Sequence, residues 1–285
     1  MKFLTFLQHG KHRLGLMTDT GVIDLNAFQA DLPADVGAAL AAGVDLQAVA
    51  QRAQAGQADR LDAATLEYAP AVPNPGKIVC LGLNYFDHAK ESNRDKPEYP
   101  WFFLRCSTSL VAHGKPSILP RVSDRLDWEA ELAVVIGKKS RHLTLDNALE
   151  SVFGYACFND ISVRDYQKRT PQWTIGKNFD ATGGFGPVVV TADELPAGAR
   201  DLRIQCRLNG EIMQDANTSD MIFDVPETLR LLTECLTLEP GDVIVMGTPA
   251  GVGQSRTPPK FMKAGDVVEI EIDRVGLLRN PIVAE

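Results

Sequence analysis

Short runs of β-branched and other apolar residues recur along the chain and predict strands more often than helices. The first 25 residues contain three such runs, KFLTFL, RLGLMT and GVIDL, separated by turn-forming residues. Residues 26–66 are rich in Ala, Gln and Asp and have apolar positions at helical spacing, so helices are expected there. Three prolines and a glycine in residues 70–76 disfavour a continued helix. We therefore expect a small N-terminal α/β module over residues 1–72.

From Lys77 onward the pattern becomes one of many short strands. The runs that predict them are IVCLGL, LAVVIG, VFGYACF, GPVVVT, RIQCRL, DVIVMG and VVEIEI. Two helices are expected among them, one after Asp160 and an amphipathic one over residues 225–236 with Asp224 as its N-cap. Strands and helices do not alternate regularly, which disfavours a doubly wound parallel sheet. The expected fold is α+β and mostly β, with residues 73–285 as the main domain.

Composition and charge exclude several classes of protein. Hydrophobic residues make up 45% of the chain and charged residues 23%, as is usual for a globular protein. The formal charge of −8 argues against nucleic-acid binding through a basic surface. The longest apolar runs are far shorter than the ~18 residues of a membrane span, and the N-terminus lacks the features of a signal peptide. We expect a cytoplasmic protein that binds neither membrane nor nucleic acid.

The cysteines predict neither disulfides nor a zinc site. They form no C-x-x-C pair, and their number is odd. Each lies in or next to an apolar run, where a cysteine is usually a small buried hydrophobe. This expectation covers Cys80, Cys106, Cys157, Cys206 and Cys235.

The segment LDWEAELAVVIG, residues 126–137, carries the first candidate chemistry. Residues two apart in a strand share a face, so Glu129 and Glu131 are expected to point the same way. Neighbouring carboxylates repel, and burial disfavours their charged forms, so they need a proton, a basic partner or a metal ion. Asp160, at the end of another apolar run, completes an oxygen-only set of the kind that Mg²⁺, Mn²⁺ or Ca²⁺ prefers. The alternative is a pair of glutamates on the exposed face of an edge strand.

Arg164 and Gln167 follow Asp160 at helical spacing. A helix capped by Asn159 or Asp160 would place all three on one face, where an arginine and an amide suit an anionic, carbonyl-bearing ligand. An ordinary charged helix face explains the same pattern.

His88 and Glu91 are neighbours if residues 80–100 contain a helical turn. A carboxylate bonded to imidazole fixes its tautomer and raises its basicity, which a general base requires. The alternative is a solvated loop with an incidental His and Glu.

Lys177 lies in a glycine-rich stretch, residues 176–186, where backbone can approach a ligand and an ammonium can neutralise an enolate or carboxylate. Thr248 and Gly251 lie where an apolar strand runs into a turn with exposed backbone donors. A surface lysine and glycines required for packing are the alternatives.

Together these segments resemble the fumarylacetoacetate hydrolase family, and most closely its bacterial members that hydrolyse or isomerise 2-keto and 2,4-diketo acids. The resemblance covers residues 77–281 and rests on seven motifs in the family's order: GLNYFDHAKE, DWEAELAVVIGK, FNDISVRDYQ, GKNFD, NTSDMIFD, MGTPAGVG and GDVVEIEIDRVGLLRNP. It implies a mixed β-roll in the C-terminal domain, a small N-terminal domain and a homodimer. Leu83 departs from the pattern, because several relatives that act on acylpyruvates carry arginine there.

The resemblance also implies roles for individual residues. By it, the ligands of a divalent cation, Mg²⁺ or Mn²⁺ with Ca²⁺ as a third candidate, are Glu129, Glu131 and Asp160. The catalytic residues would be His88 and Glu91, on a lid over residues 86–98 that orders on ligand binding, together with Lys177. The substrate contacts would be Arg164, Gln167 and Thr248.

The activity that follows from the resemblance is metal-dependent hydrolysis of a C–C bond in a small anionic oxo acid. The expected substrate is a 2,4-dioxo acid of the acylpyruvate or 2,4-diketo-3-deoxy sugar acid type, cleaved to pyruvate and a second acid or fragment. His88 would activate water, while the metal and Lys177 would stabilise the enolate. Open alternatives are oxaloacetate decarboxylation, tautomerisation, 2-hydroxyhepta-2,4-diene-1,7-dioate isomerisation and ureidoglycolate lysis. A non-catalytic metal-binding protein is the alternative of another class.

Overall fold

The computed structural model describes residues 1–56, 58–91 and 94–285. Its N-terminal part is a β-meander followed by short helices. The elements are β1 (Lys2–Gln8), β2 (Lys11–Thr18), β3 (Gly21–Asp24), α1 (Leu25–Phe28), α2 (Val36–Ala41), α3 (Leu46–Ala55), β4 (Arg60–Leu61) and β5 (Glu67–Tyr68). Each of these helices begins after an aspartate whose side chain accepts a backbone N–H of the first turn.

The remaining residues form a β-rich body. Its helices are α4 (Phe86–Glu91), α5 (Arg164–Gln167), α6 (Thr174–Lys177) and α7 (Val225–Cys235). Its strands are β6 (Ile78–Gly82), β7 (Trp101–Arg105), β8 (Leu110–Val111), β9 (Ser117–Leu119), β10 (Leu126–Asp127), β11 (Ala130–Ile136), β12 (Val152–Asp160), β13 (Ser162–Val163), β14 (Gly183–Thr191), β15 (Arg203–Leu208), β16 (Glu211–Asn217), β17 (Val243–Val245), β18 (Val267–Ile272) and β19 (Gly276–Ala284).

The strands form a large mixed sheet, a smaller second sheet and a two-stranded pair of β10 with β13. The large sheet has the order β4-β3-β2-β1-β14-β12-β11-β17-β6-β7, and the second has the order β16-β15-β18-β19-β9. Most neighbours are antiparallel, but β17 and β6 pair in parallel. The predicted α+β, mostly β fold is confirmed. Strand β1 pairs with β14, so the N-terminal meander continues the sheet of the main body. The division into domains at residues 72 and 73 stays a prediction.

Strand β11 lies between two hydrophobic cores. Leu132 and Val134 pack into one core with Trp128, on the side of the second sheet. Ala133 and Val135 pack into the other, which also contains residues of the N-terminal helices. Every residue of β11 is buried, and full burial of one aliphatic side chain contributes roughly 1.5–3 kcal/mol. The carboxylates near its start are therefore carried by one of the most firmly packed strands of the protein.

Two expectations about local structure are wrong. Neither Asn159 nor Asp160 caps a helix, because both lie in β12, and the N–H of Asp160 donates to the Glu129 carbonyl. Asp160 therefore does not share a helix face with Arg164 and Gln167. The chain forms β13 before α5 starts at Arg164. Cys106 and Cys235 are exposed, since Cys106 follows the edge strand β7 and Cys235 ends α7.

No helix in the described part of the chain has both the length and the apolar character needed to cross a membrane.

Candidate active site

Three buried carboxylates meet where β11 and β12 lie side by side. Glu129 directly precedes β11, Glu131 is its second residue, and Asp160 ends β12. The antiparallel register pairs Glu131 with Phe158 and brings these strand ends together. One oxygen of each carboxylate lies within 4.8 Å of the other two. The structure thus brings together the three acidic residues that the sequence singled out.

Three cations surround these carboxylates. The Lys177 ammonium donates to Glu129 Oε2 at 2.6 Å and to Asp160 Oδ2 at 2.5 Å. An Arg164 terminal nitrogen lies 2.7 Å from Glu129 Oε1. The guanidinium of Arg105 pairs with Asp160 Oδ1. The three carboxyl groups therefore lie among three basic side chains in a region that is almost closed to solvent, and one of these side chains, Arg164, also pairs with Asp127.

Arg105 is a site residue that sequence reasoning missed. Its side chain is fully buried, and besides Asp160 it donates to the hydroxyls of Ser109 and Thr182. The available signal was an arginine ending the apolar run WFFLR, which is the same kind of strand-end position that drew attention to Asp160. A strand-end charge after a buried run needs a partner, and here that partner is a candidate metal ligand.

The two glutamates differ in their tendency to ionise. Burial by itself would raise the pKa of Glu129, but Lys177 and Arg164 outweigh it and lower that pKa to about 2. Burial raises the pKa of Glu131 well above its usual range, and the negative charges of Asp160 and Glu129 raise it further. The N–H of Gly247 donates to Glu131 at 2.5 Å and offsets this only in part. Glu131 is therefore the carboxylate that most needs a proton or a further cation.

The donor set fits a hard divalent ion. It consists of carboxylate oxygens alone, which suits Mg²⁺, Mn²⁺ or Ca²⁺ rather than a softer metal. A neighbouring donor fixes one oxygen of each carboxylate. Arg164 fixes that of Glu129, the N–H of Gly247 that of Glu131, and Arg105 that of Asp160. Such outer contacts orient metal ligands and tune their affinity.

His88 and Glu91 form the hydrogen-bonded pair that their spacing predicts. Both lie on α4, and His88 Nδ1 is 2.7 Å from Glu91 Oε1. The other carboxylate oxygen of Glu91 accepts the N–H of Gly251 at 3.0 Å. Glu91 is thus held from both sides and orients the imidazole. The predicted lid, residues 86–98, includes Ser92 and Asn93, which lie outside the described residues.

The remaining candidates, Arg164, Gln167 and Thr248, lie at the same cavity. Arg164 donates to Gln167 Oε1 at 3.0 Å. The Thr248 hydroxyl donates to the Ala130 carbonyl at 3.0 Å and accepts from Gln214 at 2.8 Å. The hydroxyl proton of Thr248 is therefore already used within the protein. Arg164, in contrast, retains a buried terminal nitrogen with no partner among the described residues.

The cavity has a volume of about 820 Å³ and connects the carboxylates to the His–Glu pair. Glu129 and Glu131 line it together with His88 and Lys177, whereas Asp160 is not part of its wall. The candidate general base, a buried ammonium and two of the carboxylates therefore face one cavity. This arrangement can bind a small anion and move a proton on it.

An aromatic wall extends from the carboxylates toward the cavity mouth. Phe103 lies 5.1 Å from the Lys177 ammonium, Trp173 packs edge-on against Phe103 at 5.5 Å, and Trp101 stacks on Trp173 at 5.6 Å. Gly82 makes room for this wall, because a Cβ there would lie 2.1 Å from the Trp173 indole. The guanidinium of Arg94 covers the outer end, 5.0 Å from the Trp101 ring centre.

The outer cavity is positively charged although the protein is acidic. Arg94, Lys168 and Arg169 line it, and none has a carboxylate within 4.0 Å in the parts of the chain that the structure describes. Burial lowers the pKa of Lys168, and the nearby charges of Arg164 and Arg125 lower it further. An anionic ligand would relieve this repulsion.

The mostly β fold buries three convergent carboxylates that could hold a metal ion, and it places them beside a His–Glu pair and a lysine. The family model "Fumarylacetoacetate (FAA) hydrolase C-terminal" matches residues 77–283. The chain therefore belongs to the fumarylacetoacetate hydrolase family, as the sequence predicted.

Known members of this family show what the chain is similar to. It is 42% identical over 278 residues to "Oxaloacetate tautomerase FAHD2A, mitochondrial" of Homo sapiens, across 96% of this chain and 88% of the relative. Fumarylacetoacetate hydrolase from Exiguobacterium antarcticum is 34% identical with a TM-score of 0.86, and all of both chains is covered. Maleylpyruvate hydrolase from Sphingobium sp. SYK-6, solved with manganese(II) and pyruvate, is 29% identical with a TM-score of 0.84, across 100% of this chain and 99% of the other. The family comprises enzymes acting on oxo acids.

Proposed function

We propose that the protein is a divalent-metal-dependent enzyme that interconverts the keto and enol forms of a small 2-oxo acid, with oxaloacetate as the first substrate to test. The observation that carries this proposal is the common cavity that joins the His88–Glu91 pair to Lys177 and the carboxylates Glu129 and Glu131. The identity of 42% with an oxaloacetate tautomerase, over nearly the whole chain, supports the choice of reaction.

The residues of the site account for the proton transfers of such a reaction. His88, oriented by Glu91, removes the proton from the carbon next to the oxo group, and the electron pair moves to the oxo oxygen. That oxygen gains a proton in the enol, and the Lys177 ammonium, which is buried and lines the same cavity, donates it. Arg164, which lines the same cavity, binds a carboxylate of the substrate. A divalent ion held by Glu129, Glu131 and Asp160 would supply Lewis acidity when bound.

A second candidate is hydrolysis of a C–C bond in a longer 2,4-dioxo acid, to pyruvate and a second acid. The cavity favours it, because about 820 Å³ with an aromatic wall of Phe103, Trp173 and Trp101 exceeds the needs of a four-carbon acid. The structural similarity to maleylpyruvate hydrolase supports it as well. Both reactions use the same base and form the same kind of enolate, so one site can serve either.

The test follows both reactions with protein stripped by EDTA and reloaded with Mn²⁺ or Mg²⁺. Ultraviolet absorbance of enol-oxaloacetate reports tautomerisation, and a lactate dehydrogenase couple reports pyruvate release from acetylpyruvate and maleylpyruvate. The first proposal is supported if the protein accelerates the change in enol absorbance and His88→Ala loses this acceleration. His142→Asn, a variant of an exposed histidine, should keep it. Pyruvate release alone favours the hydrolase. Metal binding without either reaction would favour a non-catalytic protein and contradict both.

We also propose that the protein forms a homodimer and works in the cytoplasm, as its sequence led us to expect. Trp101, Leu104 and Ile175 are exposed apolar side chains on or near β7, the edge strand of the large sheet. Natural proteins usually cover such an edge. Light scattering coupled to size-exclusion chromatography tests the dimer, and a monomer at micromolar concentration would contradict it.

A further inference from the structure

Asp127 is a buried carboxylate that the proposed reaction does not use. It ends β10 and is 0% exposed. Its Oδ2 accepts from Arg164 Nε at 2.7 Å and from the N–H of Gln254 at 3.0 Å, and its Oδ1 accepts from the N–H of Gly253 at 2.7 Å. One side chain therefore holds both the substrate-binding arginine and the backbone of a loop at the cavity.

The same loop, residues 251–254, also holds the candidate general base. The N–H of Gly251 donates to Glu91, the partner of His88, at 3.0 Å. Glycine is required at both contact points of the loop. A Cβ at Gly251, where φ is +103°, would lie 2.3 Å from the Met213 carbonyl oxygen, and one at Gly253 would lie 1.9 Å from the Lys260 carbonyl oxygen. Asp127, the loop and Glu91 are thus linked by hydrogen bonds.

Contacts with three side chains fix the orientation of the Arg164 guanidinium. Asp127 fixes Nε of the guanidinium, while Gln167 and Glu129 bind one terminal nitrogen. The other terminal nitrogen is buried and has no partner among the described residues, and Arg164 is one of the residues that line the cavity. A buried donor without an acceptor costs about 1–3 kcal/mol, which a bound carboxylate would recover.

We propose that Asp127 is a positioning residue that fixes Arg164 and the His88–Glu91 pair relative to each other. One oxygen sets the direction of the Arg164 guanidinium, and the other anchors the loop that holds Glu91. The carboxylate of an oxo acid bound at Arg164 is thereby held at a fixed place relative to His88. The inference rests on the proposed function only in taking an oxo acid as the ligand.

Asp127→Asn tests this inference with little change in size. The amide of asparagine has one acceptor oxygen, and its NH₂ group takes the place of the other carboxylate oxygen. If that group replaces Oδ2, it faces the donors of Arg164 and Gln254; if it replaces Oδ1, it faces the N–H of Gly253. Titration calorimetry measures two constants, the Kd of Mn²⁺ for the protein and the Kd of oxalate for the Mn²⁺-loaded protein. We expect the Kd of oxalate to rise about tenfold or more, as for loss of a charge-assisted hydrogen bond, and the Kd of Mn²⁺ to stay within about threefold.

Asp242→Asn is the matched control. Asp242 is also 0% exposed, accepts the N–H groups of Lys77 and Glu239 at 2.8 Å each, and pairs with the Lys77 ammonium at 2.7 Å. It does not line the cavity. A general effect of removing a buried carboxylate would therefore appear in both variants, whereas a positioning role would weaken oxalate binding only in Asp127→Asn.

Each outcome decides the inference. Selective loss of oxalate affinity in Asp127→Asn supports it, whereas unchanged affinity, equal loss in Asp242→Asn, or parallel loss of Mn²⁺ binding overturns it. In Gly253→Ala a Cβ would lie 1.9 Å from the Lys260 carbonyl oxygen and 2.6 Å from Asp127 Oδ1, so it displaces the loop at its contact with the carboxylate. It should give the same selective loss and is the second variant if Asp127→Asn does not fold. If the Mn²⁺-loaded wild-type protein binds no oxalate, the proposed function itself fails and this inference fails with it.

Discussion

Lys177 allows the electrostatic account of the site to be tested through stability. Its ammonium is 2% exposed and donates to both Glu129 and Asp160. In Lys177→Met the side chain keeps its approximate length but loses its charge, so three buried carboxylates face only Arg105 and Arg164. Removing one partner of a buried ion pair costs about 3–5 kcal/mol. Part of this cost will be offset because Glu131, whose pKa is already raised, can hold a proton.

A divalent ion should restore much of the lost stability. Binding at a hundred times the Kd contributes about 2.7 kcal/mol, and each kcal/mol corresponds to roughly 2–4 °C in Tm for a protein of this size. We expect Lys177→Met to melt roughly 10 °C below wild type when both are in EDTA. Mn²⁺ should raise the Tm of the variant by more than half of that difference. It should also bind Mn²⁺ more tightly than wild type, because a competing cation has been removed.

Thermal unfolding followed by circular dichroism, with and without Mn²⁺, measures the effect. Lys168→Met is the control, because Lys168 lines the same cavity and has no carboxylate within 4.0 Å in the described ranges. That variant should melt close to wild type in both conditions. If Lys177→Met in EDTA melts within about 2 °C of wild type, the three carboxylates do not depend on this charge, and the reasoning is refuted.

Further predictions concern the metal, the base, the proton and the outer cavity. Glu129→Gln and Asp160→Asn should each weaken Mn²⁺ binding at least a hundredfold in calorimetry, and retained binding would reject them as ligands. His88→Ala should lose turnover at least a hundredfold while binding Mn²⁺ as wild type does, and normal turnover would reject it as the base. Because the pKa of Glu131 is raised, a proton competes with the metal, so Mn²⁺ affinity should rise with pH, and Glu131→Gln should abolish most binding. Arg94→Ala should raise the KM for maleylpyruvate about tenfold but leave the KM for oxaloacetate unchanged. An equal rise in both KM values would argue against an outer anion site.

The raised pKa of Glu131 also predicts how stability depends on pH. The folded, metal-free protein retains a proton on Glu131 that the unfolded chain releases at the ordinary pKa of glutamate. Its contribution to stability is therefore complete below that ordinary pKa and is lost as pH rises toward the raised pKa. The pH dependence contributed by Glu129 has the opposite sign, because the pKa of Glu129 is lowered. Its contribution to stability is lost as pH falls from the ordinary pKa of glutamate toward about 2.

The strands and the carboxylates could be predicted from sequence because local patterns determine them. Continuous apolar runs identified β11 and β12, and the E-x-E spacing placed Glu129 and Glu131 on one face. The His88–Glu91 contact followed from helical spacing alone. These features depend on residues close together in the chain.

Features that depend on distant partners could not be predicted. Strand β7 was missed, and with it Arg105, whose partner Asp160 is 55 residues away. Strand β19 was missed because polar residues and Pro281 interrupt its apolar pattern. Asp127 drew no attention because its three donors come from α5 and from residues 253 and 254, which the fold brings to β10.

The most direct test of the central claim is anomalous X-ray diffraction from crystals grown with Mn²⁺ and oxalate. The account predicts one strong anomalous peak within coordination distance of oxygens from Glu129, Glu131 and Asp160, with oxalate bound to the same ion and to Arg164. A peak elsewhere, or oxalate bound with no manganese between it and these carboxylates, would contradict it.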